Sequence, residues 1–212
     1  KAGGPDMSAL QIREICEQAY RDDPEIVVAA ERDLQAVLER DPATRSLLQP
    51  FLFFKGFLAL QTHRVGHWLW GQGRETLAFF LQSRMSELYA VDIHPAAPMG
   101  SGIFIDHATG IVIGETARVG NDVSMLHNVT LGGTGKLFAD RHPKIGNGVL
   151  RGAGAKRLGN ITVGDEPRAG SGSVVLSDVP PRCSVAGVPA KPVGGACASP
   201  SKTMDQKFDM GC

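Results

Sequence analysis

The sequence predicts an α+β chain: an all-helical N-terminal part followed by a left-handed parallel β-helix of hexapeptide repeats. Three observations carry this. Helical periodicity runs from residue 7 to about residue 90 and then stops. From Val91 onward Gly, Val and Ile dominate. Aliphatic anchors then recur every six residues at Met99, Ile105 and Ile111, again at Ile113, Val119, Met125 and Leu131, and after a gap at Ile145. Glycine often follows the anchor (Gly100, Gly114, Gly120, Gly132, Gly146), and small or β-branched residues often sit four further on (Ala117, Val123, Val129, Val149). This period marks a parallel β-helix, each strand and turn forming one side of a triangular coil. Such a rod has little interior pocket, so chemistry must sit on its outside, often against a neighbouring copy.

Residues 1–6 lack a starting Met and read as a tag or cut-site remnant, with Met7 the first natural residue. Residues 7–90 form a helical domain. Ile12, Ile15, Cys16 and Ala19 recur at helical spacing, as do Val27, Ala30, Leu34 and Val37–Leu38. Pro24 and Pro42 suit first helical turns, each after an aspartate able to cap. A long third helix is expected from Phe51 to about Trp70, ended by Gly71 and Gly73, and a last one over Glu75–Tyr89. His63, His67, Trp68 and Trp70 on the third helix read as packing residues. The β-helix is expected over 91–193 and a mobile tail rich in Pro, Gly, Ser and Lys over 194–212.

Lys+Arg 22 balance Asp+Glu 22, which argues against a nucleic-acid or anionic-membrane binder. The most apolar stretch, Phe51–Leu60, holds Lys55 and is too short to span a bilayer. No signal peptide is read. Cys16, Cys183, Cys197 and Cys212 form no metal spacing, which predicts reduced thiols and a cytoplasmic location.

The beat is broken twice. A two-residue offset separates Ile111 from Ile113, just after Asp106–His107. A fourteen-residue step from Leu131 to Ile145 encloses Gly132-Gly-Thr-Gly-Lys136 and Asp140-Arg-His-Pro143. Loops standing off a rigid scaffold commonly carry function. His107 is the leading catalytic candidate, because imidazole can take and return a proton near neutrality. It needs a carboxylate to hold one tautomer. Asp106 is adjacent, but on a strand its side chain would point to the opposite face. Asp92, fifteen residues earlier, is close to one coil away and could stack near His107. Arg141 suits a substrate carboxylate, and His142 beside it could contact the same ligand. The glycine loop could cradle phosphates, although it lacks the Walker spacing.

Several strings resemble the serine O-acetyltransferases, a family of hexapeptide-repeat acyltransferases. They are Gly66-His-Trp-Leu-Trp70, Val91-Asp-Ile-His-Pro95, Asp106-His-Ala-Thr-Gly-Ile111, Gly114-Glu-Thr116, Val129-Thr-Leu-Gly-Gly-Thr-Gly-Lys136, Asp140-Arg-His-Pro-Lys-Ile145 and Ala186-Gly-Val-Pro-Ala190. The resemblance covers about residues 10–193. It implies acetyl transfer from acetyl-CoA to the hydroxyl of L-serine, the first step of cysteine synthesis, with L-cysteine as feedback inhibitor and no metal. It implies His107 as general base oriented by Asp92, Asp106 on the serine ammonium, Arg141 on its carboxylate, and His142 completing the pocket. Gly133, Thr134 and Gly135, with Ala153, Gly154, Ala155 and Lys156, would line the CoA arm. A homotrimer or dimer of trimers is implied, the helical domain serving assembly. The family's terminal isoleucine, which docks into O-acetylserine sulfhydrylase, is absent here because the chain ends at Cys212. Either the tail has been trimmed or the protein does not form that complex.

Two departures border the expected CoA groove. Arg151 and Arg157 occupy inward anchors of successive coils and are expected to stack about 5 Å apart. The strand must then shift, or Asp165 and Glu166 must fold in to pair. Pro167 would remove a ladder donor from a regular coil. The alternatives are acetyl transfer to another acceptor such as a sugar or antibiotic, a scaffold that has lost catalysis, and a γ-type carbonic anhydrase. The last would draw on His94, His107, His127 and His142.

Overall fold

The computed structural model describes residues 7–135, 138–194 and 198–208; residues 1–6, Lys136, Cys197 and Cys212, which carry expectations above, lie outside them. Helix α1 (Ala9–Asp22) opens on a capping box in which Ser8 and Gln11 satisfy each other's backbone N–H. Asp23 Oδ1 accepts the Glu25 N–H at 3.2 Å where α2 (Glu25–Arg40) begins. Asp41 does not start a helix. It accepts from the Ala43 N–H at 2.8 Å and the Thr44 hydroxyl at 2.8 Å in an irregular turn.

The expected third helix is two. α3 (Leu48–Phe53) stops at Phe54, whose backbone is extended, and α4 (Lys55–Gly71) restarts at once. The break lets Gly56 approach the first coils, where a Cβ would run into the Ile105 carbonyl. His63 and His67 are packing histidines, meeting the carbonyls of Ala97 at 3.0 Å and Pro95 at 2.7 Å, while the buried Nδ1 of His63 has no partner among the described residues. Helix α5 (Glu75–Tyr89) lies where expected and packs against α4 and the first strand. Among the described residues no helix is long and apolar enough to cross a membrane.

The face that α2 buries is not its aliphatic stripe. Val27 is exposed, and the buried positions are Ile26, Ala29, Asp33, Ala36, Val37 and Arg40. Asp33 decides this. Its Oδ2 accepts from Arg64 Nη2 at 2.7 Å and Nε at 3.0 Å, and its Oδ1 from the Ile103 N–H at 2.9 Å. One buried carboxylate thus ties two helices to the first coil.

Among the described residues thirteen strands run parallel in three sheets and a fourteenth returns antiparallel. The first sheet stacks β1 (Val91–Ile93), β3 (Ile111–Ile113), β6 (Thr130–Gly132), β9 (Lys156–Leu158) and β12 (Val174–Val175). The second holds β4 (Arg118–Val119), β7 (Lys144–Ile145) and β10 (Thr162–Val163). The third holds β2 (Phe104–Ile105), β5 (Ser124–Met125), β8 (Leu150–Arg151), β11 (Arg168–Ala169), β13 (Ser184–Gly187) and the antiparallel β14 (Ala190–Pro192). These are the sides of the left-handed β-helix that the repeat predicts. Ile93, Ile113, Leu131, Arg157 and Val175 stack in one inward column.

The arginines differ from expectation. They do not stack on each other: Arg151 lies on the third sheet and Arg157 on the first, two sides of one coil. No strand shifts outward, for both are 0% exposed. Neither Asp165 nor Glu166 turns inward; Asp165 accepts from the Asn147 N–H at 2.8 Å on the outer corner. Pro167 costs no ladder donor, because it precedes β11 and offers its carbonyl to the Leu150 N–H at 3.1 Å. Where a mobile tail was expected, residues 198–208 pack on the third sheet. Helix α6 (Pro200–Thr203) accepts the Ser124 hydroxyl at the Ser201 carbonyl, and Arg168 pairs with Asp205 at 3.3 Å under the Phe208 ring.

Replacing Asp33 by Ala should cost about 3–5 kcal/mol, because it leaves the Arg64 guanidinium buried and unpaired. Urea unfolding measures this, and a loss below about 1 kcal/mol would show that the ion pair does not tie the two parts together.

Candidate active site

Both interruptions of the six-residue beat are corners of the prism, and both carry polar clusters. The step along the inward column is 20 residues from Ile93 to Ile113 and 26 from Leu131 to Arg157, against 18 for the regular coils. The extra residues stand outside the ladder.

The first corner, between the third and first sheets, holds Asp106–Gly110. His107 and Ala108 both adopt the left-handed conformation, at φ 57° and 56°. That breaks the strand alternation, so Asp106 and His107 do not point to opposite faces: Asp106 Oδ1 lies 3.6 Å from His107 Nε2. The imidazole is 76% exposed. Its neighbour one coil on is His127, with ring centroids 6.1 Å apart, and the residue paired with Asp92 one coil on is Val112. Asp92 therefore does not stack near His107 within the chain.

A cavity of about 550 Å³ opens beside His107, lined among others by Asp41, Phe54, Lys55, Phe104 and Asp106. Lys55 Nζ donates to Thr109 Oγ1 and steadies the corner. Burial pushes the Asp106 carboxyl up; His107 pulls it down, and Asp41 pushes it up again. Asp41, read above only as a cap, lines the same cavity as Asp106 and His107. Above this corner the same edge continues through His127 to Ala153–Gly154, with the Gly154 N–H on the His127 carbonyl at 2.9 Å. Ala155 is buried and Lys156 exposed, Lys156 Nζ closing on the Gly154 carbonyl at 3.2 Å.

The second cluster lies across the first sheet, towards its corner with the second. Asp92 accepts from Gln82 Nε2 at 2.6 Å, and His94 packs on Trp70 and Phe79. Burial lowers the His94 pKa, while Glu115 and Asp92 oppose the shift. Arg141 is fixed by Glu115 at 2.5 Å. Thr116 organises the loop: its Oγ1 accepts the N–H groups of Arg141 (3.0 Å) and His142 (3.1 Å) and meets His142 Nδ1 at 2.9 Å. The Thr116 N–H also donates to that nitrogen at 3.2 Å, which leaves the His142 ring proton on Nε2. Burial, then Arg141, holds the His142 pKa down, so this imidazole is neutral near pH 7. Its ring lies on Gly114, where a Cβ would collide with it. Gly133, Thr134 and Gly135 continue this corner, Gly133 beside Arg141 and His142 and Gly135 at φ 79°.

The expected site residues therefore fall into two groups on opposite sides of the first sheet. Asp106, His107, Ala153, Gly154 and Ala155 lie on one, and Arg141, His142, Gly133, Thr134 and Gly135 on the other, while Asp92 and Lys156 share one column of the sheet between them. The histidines divide likewise, His107 and His127 against His94 and His142.

Comparison with known proteins shows what the chain is similar to. A family model described as serine acetyltransferase, N-terminal, matches residues 1–62. The serine acetyltransferase of Escherichia coli strain K12 is 57% identical over 210 residues, which cover 99% of this chain and 77% of that one. A solved serine acetyltransferase in complex with cysteine superposes with a TM-score of 0.95 at 52% identity, covering 97% and 80% of the two chains. One from Brucella abortus strain S19 in complex with coenzyme A gives 0.90 at 54% identity, covering 92% and 78%.

Asp41→Asn should lower the Asp106 pKa, since it removes the nearby like charge that favours the neutral acid. A carboxyl NMR titration reads this directly, and an unchanged or raised value would place Asp41 outside the cluster.

Proposed function

The chain belongs to the serine acetyltransferase family, and on that premise we propose that its two clusters are complementary halves of one catalytic site, completed between copies. The reaction moves the acetyl group of acetyl-CoA to the hydroxyl of L-serine, giving O-acetyl-L-serine and CoA for cysteine synthesis, and cysteine inhibits it.

His107 is the general base. It accepts the serine hydroxyl proton as that oxygen attacks the thioester carbonyl, and the resulting imidazolium returns the proton to the departing CoA thiolate. Backbone N–H groups of the glycine loop or of the 153–156 turn stabilise the tetrahedral oxyanion. Asp106 binds the serine ammonium, with Asp41 as a second carboxylate in the same cavity. Arg141, held by Glu115, binds the serine carboxylate, and His142 donates from Nε2 beside it. The CoA arm runs up the edge above His107 along Ala153–Lys156, faced by Gly133–Gly135. Asp92 orients His107 from the neighbouring copy.

The observation that carries this is the placement of His107 at one corner of the first sheet and of Arg141 and His142 at the other within one chain. A closed homotrimer, with the second cluster of each copy against the first cluster of the next, supplies one whole site per interface. The helical domain joins two such trimers, and the protein works in the cytoplasm with Cys16 and Cys183 reduced. Any contact of the tail with O-acetylserine sulfhydrylase falls to residues past Phe208.

CoA thiol release from acetyl-CoA should depend on L-serine and fall by roughly 10²–10⁴-fold in His107→Ala. His107→Ala and Arg141→Ala chains refolded together should regain roughly a quarter of the wild-type rate, each site drawing its halves from two independently chosen chains. No recovery from folded mixed trimers would put both halves in one chain.

A further inference from the structure

The interior of the β-helix contains two charges that neither the fold nor the reaction uses. Arg151 and Arg157 enter one coil from two of its three sides, both 0% exposed. Arg151 is stacked between Met125 and Ala169, and Arg157 between Leu131 and Val175. Among the described residues, no guanidinium nitrogen of either has a hydrogen-bond partner. The nearby acids are turned away, since Asp165 and Glu166 line an outer cavity with Asp122. A third donor lies alongside. Ser173 Oγ is buried without a partner, one coil above Ala155.

A guanidinium keeps its charge at neutral pH. Burial and the neighbouring Arg157 push Arg151 down, and burial alone takes Arg157 only to about 9. Two like charges in an apolar coil therefore need a counter-charge. An anion midway between two cations gains two attractions at half the distance over which they repel, so a single monovalent ion reverses the balance. With coils paired directly above and below, a small ion that sheds water easily is favoured.

We propose that this coil is an internal anion site, in which a halide-class ion is held between Arg151 and Arg157 with the Ser173 hydroxyl as a further donor. The ion is taken up as the coil closes and is a structural part of the folded chain. Gly152–Lys156, the turn between the two arginines, is thereby seated on the ion.

Two measurements on the full chain test this. The first is thermal unfolding at fixed ionic strength with gluconate exchanged for bromide. The midpoint should rise and saturate, by roughly 5 °C. The second is a crystal grown in bromide, whose anomalous signal should place an ion between the two guanidiniums. Arg151→Leu with Arg157→Leu should abolish both responses and raise the midpoint in gluconate. Equal midpoints in the two salts, or bromide found only on the surface as an adventitious ion only, overturns the site. Because neither reading involves acetyl transfer, the result is independent of the catalytic assignment.

Discussion

The strands of each coil satisfy their backbone through the coils above and below. The Asp106 N–H reaches the Met125 carbonyl at 2.8 Å, the Leu126 N–H the Arg151 carbonyl at 3.0 Å, and the Gly152 N–H the Ala169 carbonyl at 2.9 Å. A residue cannot be added within a side without breaking such a ladder on both faces. Extra residues are therefore confined to corners, where the backbone already faces water. The corner at Asp106–Gly110 and the loop before β7 are the two places where this chain exceeds the regular step, and they carry His107, Arg141 and His142. The placement of reactive groups follows from the ladder.

That same rule explains what the sequence could and could not show. The inward column is a strict pattern of apolar residues, so the anchors from Ile105 to Ile145 announce the coils, and their interruptions announce the corners. Side-chain direction at a corner has no such pattern. The left-handed backbone of His107, which turns it towards Asp106 and away from any stack with Asp92, depends on the turn as a whole. Asp41 was invisible as a cavity-lining residue because a short acidic residue before proline looks like a cap, and only the tertiary path brings it beside Asp106. Thr116 stood in a recognisable string, but its role rests on three contacts to a loop about 25 residues further on. In the helical part, periodicity found α1 and α5. It misplaced the buried face of α2 because Asp33 and Arg40 point inward beside Ile26, Ala29, Ala36 and Val37, and the split at Phe54 answers to Gly56 lying on Ile105.

Dividing the site between two sides of one sheet also sorts its electrostatics. One side gathers carboxylates, Asp41 and Asp106, with an exposed imidazole. The other presents Arg141 and a neutral His142 whose free N–H is fixed by Thr116. An amino acid has its ammonium and carboxylate on one carbon, and in the proposed site the two sides would meet opposite ends of that one small molecule.

The loop between β6 and β7 has a further, evolutionary consequence. Although the step across it is 26 residues and not 18, Leu131 still pairs with Arg157 and Val119 with Ile145, so the scaffold does not register its length. Segments of this kind can be lengthened, shortened or exchanged through descent without a stability penalty in the ladder, carrying acceptor-recognising groups with them. The stretch Ala153–Lys156 has less freedom, because the Gly154 N–H is tied to the His127 carbonyl and the Lys156 N–H to the Ser173 carbonyl. Change through descent is therefore concentrated in such loops, while the laddered coils stay constant.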